Sequence, residues 1–189
     1  KILLACIPAA VAGILFDSVF ERLFYHGGTV ASALIIFGVG FIVIERWNKG
    51  RSPKMTSVDQ LTIPAVLLIG VFQLIAAVFP GTSRSGATIL GALLIGVSRP
   101  AASEFTFYLA VPVMLGASLL QVLHHGLSFS SQELTVLAAG MVTAFLVSLA
   151  VIRFLMDYVK KHDFQIFGWY RILMGAGVLG LNLLGIIQI

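Results

Sequence analysis

Six apolar segments, each close to the length of a transmembrane helix, constrain the fold of this chain more than any other feature. They lie at about residues 2–16, 29–44, 61–79, 105–123, 134–152 and 165–189. A helix needs about 20 mainly apolar residues to cross the hydrocarbon core of a bilayer, where the backbone must satisfy its own hydrogen bonds. Hydrophobic residues make up 59% of the chain and charged residues 11%, with a mean hydropathy of +1.03. The sequence therefore predicts an all-α, polytopic membrane protein.

The first two segments are short, and the third differs from the others because of the residues that it contains and its abrupt end. It begins near Pro64, contains Gln73 and ends at Pro80 and Gly81, after which only a short apolar stretch up to Val97 follows. Two short segments on either side of a Pro-Gly break are typical of a re-entrant hairpin, which lipid tolerates only where the hairpin is buried in protein or lines a cavity. We therefore predict a re-entrant helical hairpin over residues 61–97, together with about five transmembrane helices.

The distribution of basic residues between loops supports this hairpin. Two loops contain most of the lysines and arginines: Arg46, Lys49, Arg51 and Lys54 in one, and Arg153, Lys160 and Lys161 in the other. The segment between them, residues 124–133, has no lysine or arginine. Basic loops concentrate on the cytoplasmic side, so an odd number of crossings must lie between Lys54 and His124, either 105–123 alone or 105–123 with two full spans at 61–79 and 88–97. If residues 61–97 form a hairpin that enters and returns on the cytoplasmic side, 105–123 is the single crossing and the number of crossings is odd. Residues 88–97 are too few to form a full span.

Residues 80–88 form the most chemically specific part of the chain. Their sequence, PGTSRSGAT, places one arginine, four hydroxyls and two glycines between apolar segments. An arginine at membrane depth needs a partner, and glycines and hydroxyls let a phosphate approach the backbone closely. A following helix, expected from about Thr88 to Val97, would direct its positive end at the same point. The run thus predicts a phosphate site, the alternative being a polar turn in which Arg84 snorkels to lipid headgroups.

The residues of this run have different predicted roles. Arg84 would neutralise phosphate charge through its bidentate guanidinium. Ser83, Ser85 and Thr88 would donate hydrogen bonds to phosphate oxygens. The backbone amides of Gly81 and Gly86 would complete an anion-binding nest. No histidine or carboxylate lies close enough in sequence to activate either serine, so we expect both serines to bind the substrate and not to attack it.

Residues 80–88, followed by Gly96-Val97-Ser98-Arg99 and by residues 101–105 (AASEF), resemble the second signature region of the bacterial undecaprenyl pyrophosphate phosphatases, the bacitracin-resistance family. Residues 110–112 (AVP) and Tyr170-Arg171 are also placed as in that family, so the resemblance covers nearly the whole chain. It implies a multi-pass hydrolase of the bacterial inner membrane, built from two inverted repeats whose re-entrant hairpins meet near the midplane. It also implies undecaprenyl pyrophosphate as substrate, a role in peptidoglycan synthesis, and a divalent cation, Mg²⁺ or Ca²⁺.

The resemblance also implies how the chain is divided. Residues 1–44 would be two helices of the first repeat, 45–60 a cytoplasmic loop, and 61–189 the second repeat. The first signature region of the family, a Glu-x-x-x-Glu followed by a Pro-Val-Ser-Ser-Thr-Gly-His-like run, has no counterpart here and would precede Lys1. We therefore expect a fragment, the C-terminal two-thirds of the enzyme, which is inactive alone. The metal ligands are unknown, and the base is expected in the region that precedes Lys1.

Three further polar residues lie in apolar surroundings. Glu104 either complements the dipole at the start of a helix or lies near the phosphate or metal. Gln73 is expected to hydrogen-bond the hairpin backbone, with substrate contact as the alternative. Arg171, beside Trp169 and Tyr170, is expected to anchor the chain at the membrane interface.

The expected partners are a polyprenyl pyrophosphate lipid and the membrane, and a homodimer stays open. The sequence has no basic stripe with interleaved aromatic residues, so we expect no nucleic-acid binding. A polyprenyl-phosphate or anion transporter with the same hairpins is the alternative function, since it would use a midplane arginine without hydrolysis. A lipid phosphatase of the phosphatidic acid type would need a histidine and an acidic residue after Ser83-Arg84, and residues 85–97 contain neither.

Overall fold

A computed structural model of the chain describes residues 1–24, 26–125 and 130–185, without the side chains of residues 14, 16–23, 124 and 125. These ranges contain seven α-helices and one short 3₁₀ helix, and the only β-type pairing among them is an isolated bridge. The α-helices are α1 (Ile2–Phe24), α2 (Gly27–Asn48), α3 (Ile63–Val78), α4 (Arg84–Leu94), α5 (Arg99–His125), α6 (Ser131–Lys161) and α7 (Gln165–Leu183). The predicted all-α fold is confirmed.

Four of the described helices are long and apolar enough to cross a membrane. They are α2, α5 as far as Leu123, α6 and α7. The remaining predicted span corresponds to α1, of which Ile2–Gly13 is a shorter apolar helix. The prediction of a polytopic membrane protein is therefore confirmed, whereas the division of the chain into two repeats stays a prediction.

Helices α3 and α4 form a hairpin whose two outer ends lie at the same end of the molecule. Thr62 caps α3 by accepting a hydrogen bond from the amide of Ala65, and residues 79–83 connect α3 to α4. At the outer ends, Met55 forms a parallel bridge with Val97, which brings the segment before α3 beside the segment after α4. With 11 residues, α4 is about 16 Å long, roughly half of a hydrocarbon core. This is the geometry that a re-entrant hairpin requires.

Helices α2 and α7 pack with their backbones in contact. A Cβ atom placed on Gly38 would lie 2.7 Å from the carbonyl oxygen of Gly168, and one on Gly168 would lie 2.7 Å from that of Gly38. Gly175 makes the same approach to the carbonyl of Ala31, also at 2.7 Å. Small residues allow such close packing in membranes. Because Arg171 lies between Gly168 and Gly175 along α7, this pairing turns it toward the interior of the protein.

Two clusters of buried side chains form the core. One joins α1, α3, α4 and α5 and includes Val66, Ile69, Ala102, Phe105 and Leu109. The other joins α2 and α4 to the end of α6 and the start of α7 and includes Phe41, Ile44, Leu90, Val159 and Phe164. Val159 is the one buried residue of α6, so most of this helix is available to lipid.

An ion pair between the buried Glu45 and the half-buried Arg99 connects three parts of the fold near the C-terminus of α2. Glu45 of α2 is 2% exposed. Its carboxylate accepts hydrogen bonds from Nε of Arg99 at 2.9 and 3.0 Å and from the backbone amide of Phe164 at 3.0 Å. Because removing one partner would leave a buried charge uncompensated, this pair fixes α2, the start of α5 and the start of α7 relative to one another.

Candidate functional site

Two residues of the turn between α3 and α4, Gly81 and Ser83, have positive φ angles. Gly81 has φ +87°, and a Cβ atom there would lie 2.6 Å from the carbonyl oxygen of Val30 on α2. Ser83 has φ +65° and is the one non-glycine residue with positive φ in the described ranges. Such a conformation costs a non-glycine residue free energy and is found preferentially at functional sites.

Ser83 organises the N-terminus of α4. Its Oγ accepts a hydrogen bond from the amide of Gly86 at 3.2 Å and lies 3.2 Å from Oγ of Ser85. The amide of Gly86, which the sequence predicted as a phosphate donor, is therefore engaged within the protein. The amides of Arg84 and Ser85 donate to none of the described residues. These two N–H groups at the positive end of α4 are thus the donors available to an anion.

Arg84 is the first residue of α4 and lies exposed at the turn. Its Nη2 contacts Sδ of Met114 on α5 at 3.1 Å, and it forms no ion pair with a described residue. A thioether sulfur is only a weak acceptor. The guanidinium therefore keeps its hydrogen-bonding capacity, and bidentate binding of a phosphate by Arg84 stays a prediction.

A cavity of about 360 Å³ lies beside Arg84 between α3, α4 and α5. Polar side chains reach it from all three helices: Gln73 from α3, Arg84, Ser85 and Thr88 from α4, and Thr106 from α5. The rest of its lining is apolar and comes from α5, with Phe107, Ala110, Val113 and Met114. An anionic group on an apolar chain would match this combination of polar and apolar walls.

Thr88 lines the cavity, but its hydroxyl is engaged with protein partners. It donates toward the carbonyl oxygens of Arg84 and Ser85 at 3.1 and 3.0 Å and lies 3.0 Å from Oγ1 of Thr106. Thr88 and Thr106 are both buried. Within this structure Thr88 therefore holds α4 against α5. Thr106 was not identified from the sequence, since its role depends on a contact between helices.

Gln73 is 3% exposed and lines the cavity, and its Nε2 has no hydrogen-bond partner among the described residues. The bond to the hairpin backbone that we expected from the sequence is therefore not made by this nitrogen. A buried amide without a partner costs free energy, so the geometry favours the alternative in which Gln73 donates to a bound ligand.

Glu104 does not line the cavity of Arg84. Its Oε1 accepts a hydrogen bond from the hydroxyl of Tyr108 at 2.9 Å. In the described ranges no group of three or more histidine, cysteine, aspartate and glutamate side chains could hold a metal ion. Magnesium and calcium prefer oxygen ligands, carboxylates above all. The described residues of the cavity thus do not form a site for either cation.

The structure corrects the prediction for Arg171. Its Nη1 donates a 2.7 Å hydrogen bond to the carbonyl oxygen of Thr82, and its Nη2 lies 3.4 Å from the position of a Cβ atom on Gly86. The side chain therefore supports the hairpin turn and does not anchor the chain at the interface. The signal in the sequence was the spacing of Gly168, Arg171 and Gly175, which places the arginine on the close-packed face of its helix.

Comparison with known proteins gives consistent matches. The family model described as bacitracin resistance protein BacA matches residues 1–177. Undecaprenyl-diphosphatase 1 of Clostridium acetobutylicum is 59% identical over 179 residues, which cover 95% of this chain and 65% of the relative. Undecaprenyl-diphosphatase of Desulfitobacterium hafniense is 59% identical, over 95% of this chain and 64% of the relative. That of Enterococcus faecalis is 50% identical, with 95% and 66% covered. The chain thus spans 64–66% of the length of these curated relatives.

Proposed function

The chain belongs to the bacitracin resistance protein BacA family, and from this premise we propose that it is part of an enzyme that hydrolyses undecaprenyl pyrophosphate. The products would be undecaprenyl phosphate and inorganic phosphate, so the reaction would recycle the lipid carrier of peptidoglycan synthesis in the bacterial inner membrane and confer bacitracin resistance. The observation that carries the proposal is Arg84, a guanidinium at the start of α4 that has no carboxylate partner among the described residues and faces a cavity with one apolar wall.

Phosphoryl transfer depends mainly on positioning the substrate and stabilising its charge. In this proposal Arg84 binds two oxygens of the pyrophosphate, while the amides of Arg84 and Ser85 bind the same group at the positive end of α4. The hydroxyl of Ser85 and Nε2 of Gln73 add two donors from different helices. Ser83 shapes the turn through its strained backbone and its bond to Gly86.

The apolar wall of the cavity would take the first part of the prenyl chain. Phe107, Val113 and Met114 lie along one side of α5, and Met114 and Leu115 are 52% and 66% exposed. A chain that leaves the cavity along this helix would therefore pass directly onto a surface that lipid covers. This arrangement would hold a pyrophosphate on an isoprenoid more tightly than inorganic pyrophosphate, because the tail adds buried apolar area.

The base and the metal ligands remain to be assigned. The cavity of Arg84 contains no histidine, aspartate or glutamate among its described lining residues. We propose that these groups come from the part of the relatives that this chain does not span, together with the ligands of a divalent cation, Mg²⁺ or Ca²⁺. Such a cation would add positive charge near the pyrophosphate. Residues 1–189 alone are then expected to release phosphate only at the background rate.

Phosphate release from undecaprenyl pyrophosphate by the complete purified protein tests the proposal. Arg84→Ala should lower kcat/KM by about 100-fold or more, and Arg84→Lys should restore little, because an ammonium lacks the bidentate fork. Arg153→Ala, which removes an exposed arginine of α6, is the matched control and should keep wild-type activity. Near-normal turnover of Arg84→Ala would refute the assignment, and lipid movement without phosphate release would favour the transporter.

A further inference from the structure

A second cavity, of about 310 Å³, lies at the end of α4 opposite to Arg84. It is bordered by the ends of α2, α4 and α6 and by the start of α5. Four basic side chains line it: Arg51, Lys54, Arg99 and Lys160. One carboxylate, that of Glu45, also lines it. The proposed function uses none of these residues.

The carboxylate in this cavity is already neutralised. Both oxygens of Glu45 accept hydrogen bonds from Arg99, and Oε1 also accepts from the amide of Phe164. The side chain of Glu45 is 1% exposed, whereas that of Arg99 is 38% exposed. An anion in the cavity would therefore meet the outer face of the guanidinium and would be shielded from the carboxylate behind it.

The other basic side chains are not neutralised within the described structure. Arg51 and Lys54 form no ion pair with a described residue, and Lys160 has only a 3.5 Å contact with Asp157 in which both side chains are mostly exposed. Such exposed pairs contribute little. The side-chain amide of Asn48 donates to the carbonyl oxygen of Leu93 at the end of α4, which also accepts from the backbone amide of Gly96. The side chains that line the cavity therefore carry a net positive charge, which exceeds the partial negative charges at the ends of α2, α4 and α6, and the cavity is open to an anion.

The surroundings of the cavity match a lipid headgroup. Asn48 and Arg99, at its edge, are the ends of two candidate membrane spans, so the cavity lies at the level where lipid headgroups would be. Trp47 is 64% exposed, and the guanidinium of Arg51 lies 4.4 Å from its ring centroid. Tryptophan is enriched at the membrane interface. Leu94 lines the cavity and is 55% exposed, and the exposed apolar surface of α6 leads away from it.

From this combination we propose that the cavity binds the phosphate of an anionic phospholipid on the cytoplasmic side. The basic side chains would bind any phosphate. The exposed Trp47 and the apolar surface of α6 would, in addition, contact the acyl chains of a lipid, which a free phosphate lacks. Basic pockets between transmembrane helices on the cytoplasmic side bind anionic headgroups in this way. A bound lipid would bridge the loop after α2, the start of α5 and the end of α6.

The test is binding of a short-chain phosphatidylglycerol to the complete protein in a neutral detergent, followed by native mass spectrometry. The double variant Arg51→Gln/Lys54→Gln removes two cations that line the cavity. The matched control, Arg46→Gln/Lys49→Gln, removes the same charge from positions nearby that do not line it. At about 1 kcal/mol per basic residue, the first variant should bind phosphatidylglycerol about 30-fold more weakly than the wild type. The affinity of the control should fall by less than about 3-fold. Neither variant touches the Glu45–Arg99 pair, and thermal unfolding would verify that both fold.

Two further measurements separate a lipid from other sources of phosphate. Phosphatidylcholine with the same chains should bind weakly and equally to all variants, and millimolar inorganic phosphate should not displace phosphatidylglycerol. Arg84→Ala should bind phosphatidylglycerol as the wild type does, so the result does not depend on the proposed function. An equal loss in both double variants would refute the site in favour of diffuse surface attraction. Displacement by inorganic phosphate, with no preference for phosphatidylglycerol over phosphatidylcholine, would refute the lipid.

Discussion

The guanidinium of Arg171 and the carbonyl oxygen of Thr82 are joined by a 2.7 Å hydrogen bond that spans 89 positions of the sequence. Thr82 is fully buried in the turn of the hairpin. Because α7 packs against α2 with backbones in contact, this bond attaches the turn to a rigid pair of helices. The position of Ser83 and Arg84 is therefore set by a residue from the far end of the chain.

Replacing Arg171 should loosen the turn. Arg171→Met would leave the buried carbonyl of Thr82 without its charged donor, at a cost of about 1.5–3 kcal/mol. The expected result is a lower unfolding temperature in detergent and faster amide hydrogen exchange over residues 79–86. Arg171→Lys should recover part of the protection. Arg153→Met serves as the control, and exchange at the turn that is the same in both methionine variants would contradict this role.

The ion pair between Glu45 and Arg99 should matter more for stability than the exposed pair of Asp157 and Lys160. Arg99→Met leaves the carboxylate of Glu45 buried without its countercharge, which should cost about 3–5 kcal/mol. Asp157→Asn should cost less than about 1 kcal/mol. Thermal unfolding of the two variants would measure the difference. Adding Glu45→Met to Arg99→Met should restore most of the stability, and a double variant no better than the single one would argue against this explanation.

Gln73 can be tested by separating stability from activity. Gln73→Leu removes a buried amide nitrogen that no described residue bonds, so the fold should be equally or more stable, by up to about 1–3 kcal/mol. If Nε2 donates to the substrate, kcat/KM for phosphate release should nevertheless fall, by about 10-fold. Ser103→Ala is the matched control, because Oγ of Ser103 is also buried without a partner in the described part of the chain but does not line the cavity. Full activity in both variants would show that Gln73 does not donate to the substrate.

The direction of the helices across the membrane can be tested with single cysteines in a Cys6→Ala background. Ser52→Cys and Lys161→Cys, in the basic loops, should react with an impermeant maleimide only from the cytoplasmic side. Ser131→Cys, at the start of α6, should react only from the opposite side. All three positions are exposed. Reaction of Ser52→Cys and Ser131→Cys from the same side would mean that α3 and α4 do not return to the side from which they enter.

The helices could be predicted because lipid allows few other structures, but hydropathy alone did not locate their ends. Helix α5 begins at Arg99, several residues before the predicted apolar segment. Ser98 and Pro100 mark this start in the sequence, and in the structure Oγ of Ser98 accepts a hydrogen bond from the amide of Ala101. Similarly, α4 begins at Arg84 and not near Thr88, because Ser83 caps it.

In the candidate site, too, residues that lie in one short run could be predicted, whereas contacts between distant helices could not. Arg84 and Ser85 were identified because their chemistry is contained in one short run. Thr106 and Arg171 were not, because each acquires its role from a helix that lies far away in sequence. The environment of Gln73 likewise depends on how α3 packs against its neighbours, so two alternatives stayed open until the fold was known.

The 11 residues of α4 have a consequence for the host membrane. They place Arg84 about 16 Å from the cavity lined by Arg51 and Lys54 at the other end of the helix, whatever the lipids around the protein. The distance from Arg84 to the opposite surface is not fixed, because it grows with the length of the acyl chains. If the proposed function holds and the pyrophosphate arrives from that surface, it would descend further in a thick bilayer than in a thin one. The fatty acid composition of the cell would then set part of the energy barrier to its entry.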